Sequence, residues 1–248
     1  MLKLKNEEQI RGIRESCHLL SGLFAELRPL VREGVSTRDL DEHARTFILK
    51  AGGRPAFLGY NGYPASLCVS VNEEVIHGIP GPRKVKSGDI VGLDCGIDLG
   101  GYFSDAAITV PVGKVSAEIE ALLRTTRECL EKALAAIRVG GRIHDISRAV
   151  YGHARSRGYG IVRQWCGHGV GFTPHEDPQV PNYVGAGPNP RIVPGMVLAI
   201  EPMLNLGGDD VETLDDDWTV VTADGKPSAH FEHTVAILPE GPEVLTSW

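Results

Sequence analysis

An α+β chain built from two related halves is what three features of the sequence predict. First, residues 90–105, Ile-Val-Gly-Leu-Asp94-Cys-Gly-Ile-Asp-Leu-Gly-Gly-Tyr-Phe-Ser-Asp105, read as a strand, a Gly100-Gly101 turn and a return strand. Second, the outgoing strand recurs. The stretch from Gly88 to Gly101 aligns on Gly195 to Gly208 without a gap at an offset of 107, setting Asp94 on Glu201, Leu99 on Leu206 and one Gly-Gly pair on the other. Third, helical patterns accompany hairpins in both parts of the chain instead of alternating with single strands, which argues against a doubly wound parallel sheet. The expectation is one domain of 248 residues with internal halves of approximately 1–113 and 114–248, facing each other across a pseudo-two-fold axis.

The elements follow in order. Asn6 with Gln9 three residues later reads as a capping box, and Ile10, Ile13, Cys17, Leu20, Phe24 and Leu27 continue at helical spacing until Pro29. Ser36 with Asp39 opens a second helix through Leu40, Ala44, Phe47 and Ile48, stopped at Gly52-Gly53. Residues 55–64 form an aromatic loop, Ser66 to Val71 a strand, and Val75 to Pro80 a short apolar segment carrying His77. After the hairpin, Pro111 to Ser116 reads as the join between halves. Two helices follow, Ala117 to Ile137 and Ile143 to Arg157, ended by Gly140-Gly141 and by Gly158. Tyr183 to Pro194, rich in Gly, Pro and Asn, is an irregular loop without the order of a phosphate-binding loop.

Composition narrows the class. Apolar and charged shares of 42% and 23% are those of a globular enzyme, and a net charge of −7 argues against direct nucleic-acid binding or an anionic membrane as partner. No apolar run is long enough to span a bilayer, and the charged start Met-Leu-Lys-Leu-Lys-Asn-Glu-Glu is not a secretory signal. Cys17, Cys68, Cys95, Cys129 and Cys166 are odd in number and contain no Cys-x-x-Cys, so they read as reduced, small core residues of a cytoplasmic protein.

Five groups stand out chemically. Asp94 and Asp105 place a carboxylate in each arm of an apolar hairpin, where burial is costly unless the charge is paired or binds a metal. His168 lies between glycines in Cys166-Gly-His-Gly-Val-Gly171, which lets the backbone approach a neighbour closely. Glu201 sits at the duplicated carboxylate step. Glu232, in Phe231-Glu-His-Thr, reads as the counterpart of Asp105 on the second return strand, with a connection of 31 residues against 11 and hence an insertion of 20. Four carboxylates and one imidazole exceed what a single zinc site needs and suit two divalent ions about 3.5–4 Å apart. One nitrogen among oxygens admits Mn2+, Fe2+, Co2+ or Zn2+. Asp215 to Asp217 read as a solvated loop, and His18, His43, His144 and His153 as surface or packing residues on helices.

With these residues in view, the chain resembles the type I methionine aminopeptidases, metallopeptidases of the pita-bread fold. The resemblance runs from the first helix to the last strand, through Gly34-Val-Ser-Thr, Gly59-Tyr-Asn-Gly-Tyr-Pro, Ser70-Val-Asn-Glu, Val75-Ile-His-Gly-Ile-Pro, Asp94 with Asp105, Cys166-Gly-His-Gly-Val-Gly, His175-Glu, Ile200-Glu-Pro-Met and Phe231-Glu-His-Thr. It implies a central antiparallel sheet with helices outside. It also implies Asp94 as a chelating ligand of one metal, Asp105 and Glu232 as bridges, and His168 and Glu201 as ligands of the other. His175 matches the catalytic histidine near the scissile carbonyl, and His77 the histidine that positions substrate. Tyr60, Tyr63, Cys68 and Trp218 match the methionine pocket. The implied reaction is removal of initiator methionine from peptides and nascent chains, at the ribosome, by a cytoplasmic monomer using two divalent ions. A metal bound to the free α-amine would limit cleavage to one residue, and Glu201 would carry the proton from water to leaving amine.

Two residues depart from the family pattern. Pro174 precedes His175 where an aromatic is usual, and Phe57 stands where some relatives carry cysteine. The resemblance is to the short bacterial form, without an N-terminal zinc-binding extension or a type II insertion. Proline-specific peptidases of the same fold share Asp94-x-Gly and Gly101-Tyr-Phe-Ser-Asp105, but Val75-Ile-His-Gly-Ile-Pro and Ala229-His-Phe-Glu-His-Thr favour methionine removal. A non-catalytic peptide-binding relative would be expected to lack ligands, and all five are in place.

Overall fold

Asn6 and Ser36 open the first two helices as their spacing predicts. Helix α1 (Glu7–Leu27) carries a complete capping box between Asn6 and Gln9, and a 3-10 turn containing Pro29 follows it. Helix α2 (Thr37–Lys50) has the same arrangement between Ser36 and Asp39. The computed structural model describes residues 2–248. Strands β1 (Arg54–Pro55), β2 (Cys68–Val71) and β3 (Glu74–Ile76) lead to the hairpin β4 (Ile90–Leu99) and β5 (Tyr102–Pro111). Its turn is Gly100-Gly101, and both residues have the positive φ that a two-residue connection demands of its centre.

Helices α3 (Ala117–Ala136) and α4 (Ile143–Ser156) pack against each other, the first capped by Ser116 and the second followed by Gly158 at φ 80°. The remaining strands are short. They are β6 (Gly160–Ile161), β7 (Gly167–Gly169), β8 (Glu176–Val180), β9 (Val197–Ile200), β10 (Met203–Asn205), β11 (Val211–Thr213), β12 (Val220–Thr222), β13 (Ser228–His230), β14 (His233–Leu238) and β15 (Gly241–Val244).

Every strand pairing is antiparallel, so the α+β expectation holds. The expected central sheet is divided into hydrogen-bonded segments. β5 lies on one side of β4 with β1 and β2 on the other; β8, β7, β9, β14 and β15 form a second sheet; β6, β10 and β13 a third; and β3, β12 and β11 a fourth. α1 packs on β4 and β5, α3 on β9, β10 and β13, and one apolar core runs from Leu20 and Phe24 through Leu93 and Ile108 to Leu130, Leu198 and Phe231.

The second copy of the hairpin departs from expectation. β9 and β10 together repeat β4, interrupted at Glu201-Pro202, where proline has no N–H for the ladder. Ile200 pairs His233 and Met203 pairs His230, so the register is the same on both sides of the break and sets Glu201 opposite Glu232. In the first hairpin Asp94 pairs Ala107 and Gly96 pairs Asp105. The counterpart of Glu232 is therefore Ala107, the counterpart of Asp105 is His230, and the inserted segment is 18 residues long instead of 20. Gly207-Gly208 does not close a hairpin. It opens an excursion through β11 and β12, which returns where Leu206 N donates to Pro227 O.

The two hairpins meet along a symmetric seam. Ala107 and Glu232, equivalent residues, form a β-bridge. Thr109 Oγ1 accepts from His230 N and donates to His230 O, while its equivalent Thr234 accepts from Asp105 N and donates to Asp105 O.

Candidate metal centre

That seam brings the acidic residues together. Asp105 reaches in from β5, Asp94 from the neighbouring β4, Glu201 from the end of β9, Glu232 from the start of β14, and His168 from β7. Asp105 and Glu232 are 3% and 2% exposed, far below what lone carboxylates tolerate. The glycines around His168 serve strand packing. A Cβ at Gly167 would lie 2.4 Å from Ala199 O on β9, and one at Gly169 would lie 2.3 Å from Asp177 O on β8.

The donor atoms converge. One ligand atom from each of Asp105, His168 and Glu232 lies within 4.8 Å of the others. His168 Nε2 is 3.4 Å from Glu201 Oε1 and 3.8 Å from Asp105 Oδ2. Its Nδ1–H donates to Gly169 O at 2.9 Å, which leaves Nε2 with a free lone pair facing the carboxylates. Asp94 Oδ1, Asp105 Oδ1 and Glu232 Oε1 are buried with no hydrogen-bond partner in the protein. Orphaned buried oxygens are rare, and three of them in one acidic cluster fit a place filled by cations. Oxygen donors with one imidazole nitrogen suit divalent transition ions. The residues therefore fit the metal centre that the sequence suggests.

The electrostatics point the same way. Burial raises Asp94 from 3.8 to about 7. Asp105, Glu201 and Glu232 are pushed well above the ordinary carboxylate range, first by burial and then by neighbouring carboxylates: Asp94 acts on all three, Glu201 also on Asp105 and Glu232, and Asp105 on Glu232. Burial lowers His168 to about 3 and His77 to about 4, so both are neutral at pH 7.

These groups line a cavity of about 730 Å3, and every site residue named from the sequence lines it: Tyr60, Tyr63, Cys68, His77, Asp94, Asp105, His168, His175, Glu201, Trp218 and Glu232. Tyr63 meets Trp218 edge-on at 5.1 Å between centroids, and its hydroxyl donates to Gly78 O. Cys68 and Phe57 pack in the same apolar cluster, so Phe57 is part of this wall. His175 stacks on Tyr60 and lies 4.1 Å from the His168 ring. Pro174 is buried and does not line the cavity. His77 has φ 59°, a left-handed conformation uncommon outside glycine, and its ring meets the edge of Trp165 at 5.0 Å.

Asp215 to Asp217 are exposed as expected, yet Asp216 also accepts from Trp218 N, Thr219 N and Thr219 Oγ1, fixing the turn that presents Trp218. Cys166 is not a core residue, since it lines the cavity half-buried.

Sequence reasoning missed two residues. Trp165 stands at the cavity mouth, and an aromatic beside Cys166-Gly-His was the available signal. His230 is 4% exposed and carries Nε2 3.6 Å from Glu201 Oε2 without a hydrogen-bond partner. Burial drops it to about 3. Only the strand register reveals it, by setting it at the position of Asp105.

Comparison with known proteins places this geometry. Residues 11–239 match Metallopeptidase family M24. The chain is 53% identical over 247 residues to the methionine aminopeptidase of Treponema pallidum, covering 99% of this chain and 96% of that one. It is 50% identical to that of Clostridium perfringens, covering 99% of both. The crystal structure of methionine aminopeptidase from Thermotoga maritima superposes with a TM-score of 0.96 at 40% identity, covering 100% of both chains. Prolidase from Pyrococcus furiosus, at 22% identity and a TM-score of 0.80 over 99% of this chain and 65% of that one, shares the pita-bread fold. A carboxylate-lined cavity on this architecture, with sequence identity across its whole length, gives one conclusion: the chain belongs to metallopeptidase family M24, among the methionine aminopeptidases.

Proposed function

We propose that the protein is a metallo-aminopeptidase that removes the N-terminal methionine from peptides and nascent polypeptides. The observation that carries this reading is the convergence of orphaned buried carboxylate oxygens and His168 Nε2 at an aromatic-walled cavity. Asp94, Asp105, His168, Glu201 and Glu232 would hold two divalent cations; Mn2+, Fe2+, Co2+ and Zn2+ all suit the donor set. When bound, such cations make water nucleophilic near neutral pH and polarise a carbonyl.

The chain's own residues do the rest. Glu201 accepts the proton of the attacking water and passes it to the leaving amine, a task suited to a carboxyl whose proton affinity burial has raised. His175 and His77, neutral and aimed into the cavity, donate hydrogen bonds to the developing oxyanion and the substrate amide. Tyr63, Trp218 and Cys68 with Tyr60 form the pocket for the thioether side chain, where aromatic and sulfur contacts are favourable. The proposal extends to a cytoplasmic monomer of one catalytic domain, with duplicated halves of approximately 1–113 and 114–248, acting on nascent chains at the ribosome. The free cysteines suit a reducing compartment.

The test is release of free amino acid from Met-Ala-Ser and Ala-Pro-Ser by metal-stripped protein to which each cation is returned. Cation-dependent release of methionine from the first peptide alone is the expected result. Release from the second alone would transfer the protein to the proline-specific branch, and inactivity on both with every cation would leave a binding protein.

A further inference from the structure

Glu201 is approached from two sides. Its Oε1 faces His168 Nε2 at 3.4 Å, and its Oε2 faces His230 Nε2 at 3.6 Å. The two imidazoles are not equivalent in kind. His168 has its Nδ1–H committed to Gly169 O and so turns a lone pair toward the acidic cluster. His230 has its Nε2 buried and unpartnered, with a carboxylate oxygen just outside hydrogen-bond distance. Among the described residues, Asp105, His168 and Glu232 form a group whose ligand atoms all lie within 4.8 Å of one another; Asp94, Glu201 and His230 stand outside that group.

The backbone of His230 has little freedom. Thr109 Oγ1 accepts from its N–H and donates to its carbonyl, each at 2.9 Å, and Met203 pairs it across the ladder. The same brace holds Asp105 at the equivalent position through Thr234. One equivalent site thus presents a carboxylate to the cluster, and the other presents an imidazole.

We propose that His230 is a positioning residue for Glu201. Its Nε2–H donates to Oε2, which fixes the plane of the carboxylate and keeps Oε1 on the side of His168 Nε2, where it would be free to bind a cation. A carboxyl group turns easily about its last torsion, so a donor held on one oxygen decides where the other points. Partners of this kind behind a metal ligand are worth about 10–100-fold in metal affinity. The inference rests on the reading above that Glu201 is a ligand.

The test uses the full chain, metal-stripped and titrated with Mn2+ by calorimetry, with turnover of Met-Ala-Ser measured at saturating Mn2+. His230→Leu removes the donor, while His230→Gln returns an N–H at similar reach. The leucine variant is expected to bind Mn2+ about 10–100-fold more weakly and to lose kcat with KM little changed. The glutamine variant should recover most of the affinity and of kcat. Wild-type Mn2+ affinity in His230→Leu would overturn the proposal. Equal loss in both variants would also overturn it, since glutamine restores a donor toward Glu201 but neither the imidazole's packing nor its ligand nitrogen. If His230→Leu does not fold, His230→Asn, whose shorter amide falls short of Glu201, takes its place with the same expectations. Glu201→Gln is the control on the underlying reading: unchanged Mn2+ binding there would remove Glu201 as a ligand whatever His230 does.

Discussion

Four carboxyl groups buried around one point cannot all keep their charge without cations, and this sets how the free site responds to pH. Without metal, Asp94 titrates near pH 7 and the other three are pushed well above the ordinary carboxylate range. Protons are therefore held at pH 7 by groups that a cation requires ionised, and cation uptake must expel them. The sign follows from the direction of the shifts. Raised values mean that protons compete for the site as pH falls through about 7, so apparent cation affinity climbs as pH rises. His168, neutral at that pH, contributes nothing to the release. Calorimetric titration of metal-stripped protein with Mn2+, in buffers of different ionisation enthalpy, should show net proton release at pH 7 and tighter binding at higher pH. Absence of release would mean that the carboxylates are already ionised. The same residues explain what was legible in the sequence. An acidic side chain inside an apolar strand breaks the expected pattern, so Asp94, Asp105 and Glu201 stand out. His230 breaks none. Its place is fixed by a ladder partner 27 residues away, which no local pattern encodes.

The loop between β7 and β8 carries His175, and it is held by a segment from the other end of the chain. Glu176 accepts from Phe172 N and Thr173 N through Oε1 and from Lys5 Nζ at 2.6 Å through Oε2. Both side chains of the Lys5–Glu176 pair are 1% exposed, and Lys5 N donates to Gly195 O. Removing one member of a buried pair leaves the other uncompensated, at a cost of about 3–5 kcal/mol, whereas removing both is far milder. Lys5→Met should therefore lower the denaturation midpoint strongly and loosen His175, reducing turnover with metal content retained. Lys5→Met combined with Glu176→Gln should recover much of the stability, and a double variant no more stable than the single one would deny that the pair acts as a unit. This clamp links residues 171 positions apart and is invisible in the local sequence. Helices α1 and α2 were legible because their caps lie within four residues of each other. β11 and β12 were not. Each has three residues near an acidic stretch, and the pairing of β12 to β3 is a tertiary choice.

At the scale of the whole molecule, the metal centre lies where two hairpins meet, and its symmetry is carried by threonine. The repeat at an offset of 107 announced the duplication, but the return strands follow an offset of 125, because the excursion through β11 and β12 lies between. Threonine appears at both equivalent return positions, 109 and 234, and each hydroxyl spans the N–H and C=O of a residue in the opposite hairpin. The C-terminal Trp248 adds a further tie, donating from Nε1 to Glu232 O and stacking on His233 at 4.6 Å. The seam thus fixes the backbone on which Asp105, His230 and Glu232 depend. Thr109→Val and Thr234→Val keep shape but withdraw the hydroxyl, leaving two buried backbone groups unpaired in each case. A loss of about 1–3 kcal/mol per orphaned group is expected. Because the two positions are related by the seam's symmetry, the two variants should lower the denaturation midpoint by similar amounts. A large loss at one position and none at the other would show that one hairpin alone supports the centre, with the second merely docked against it.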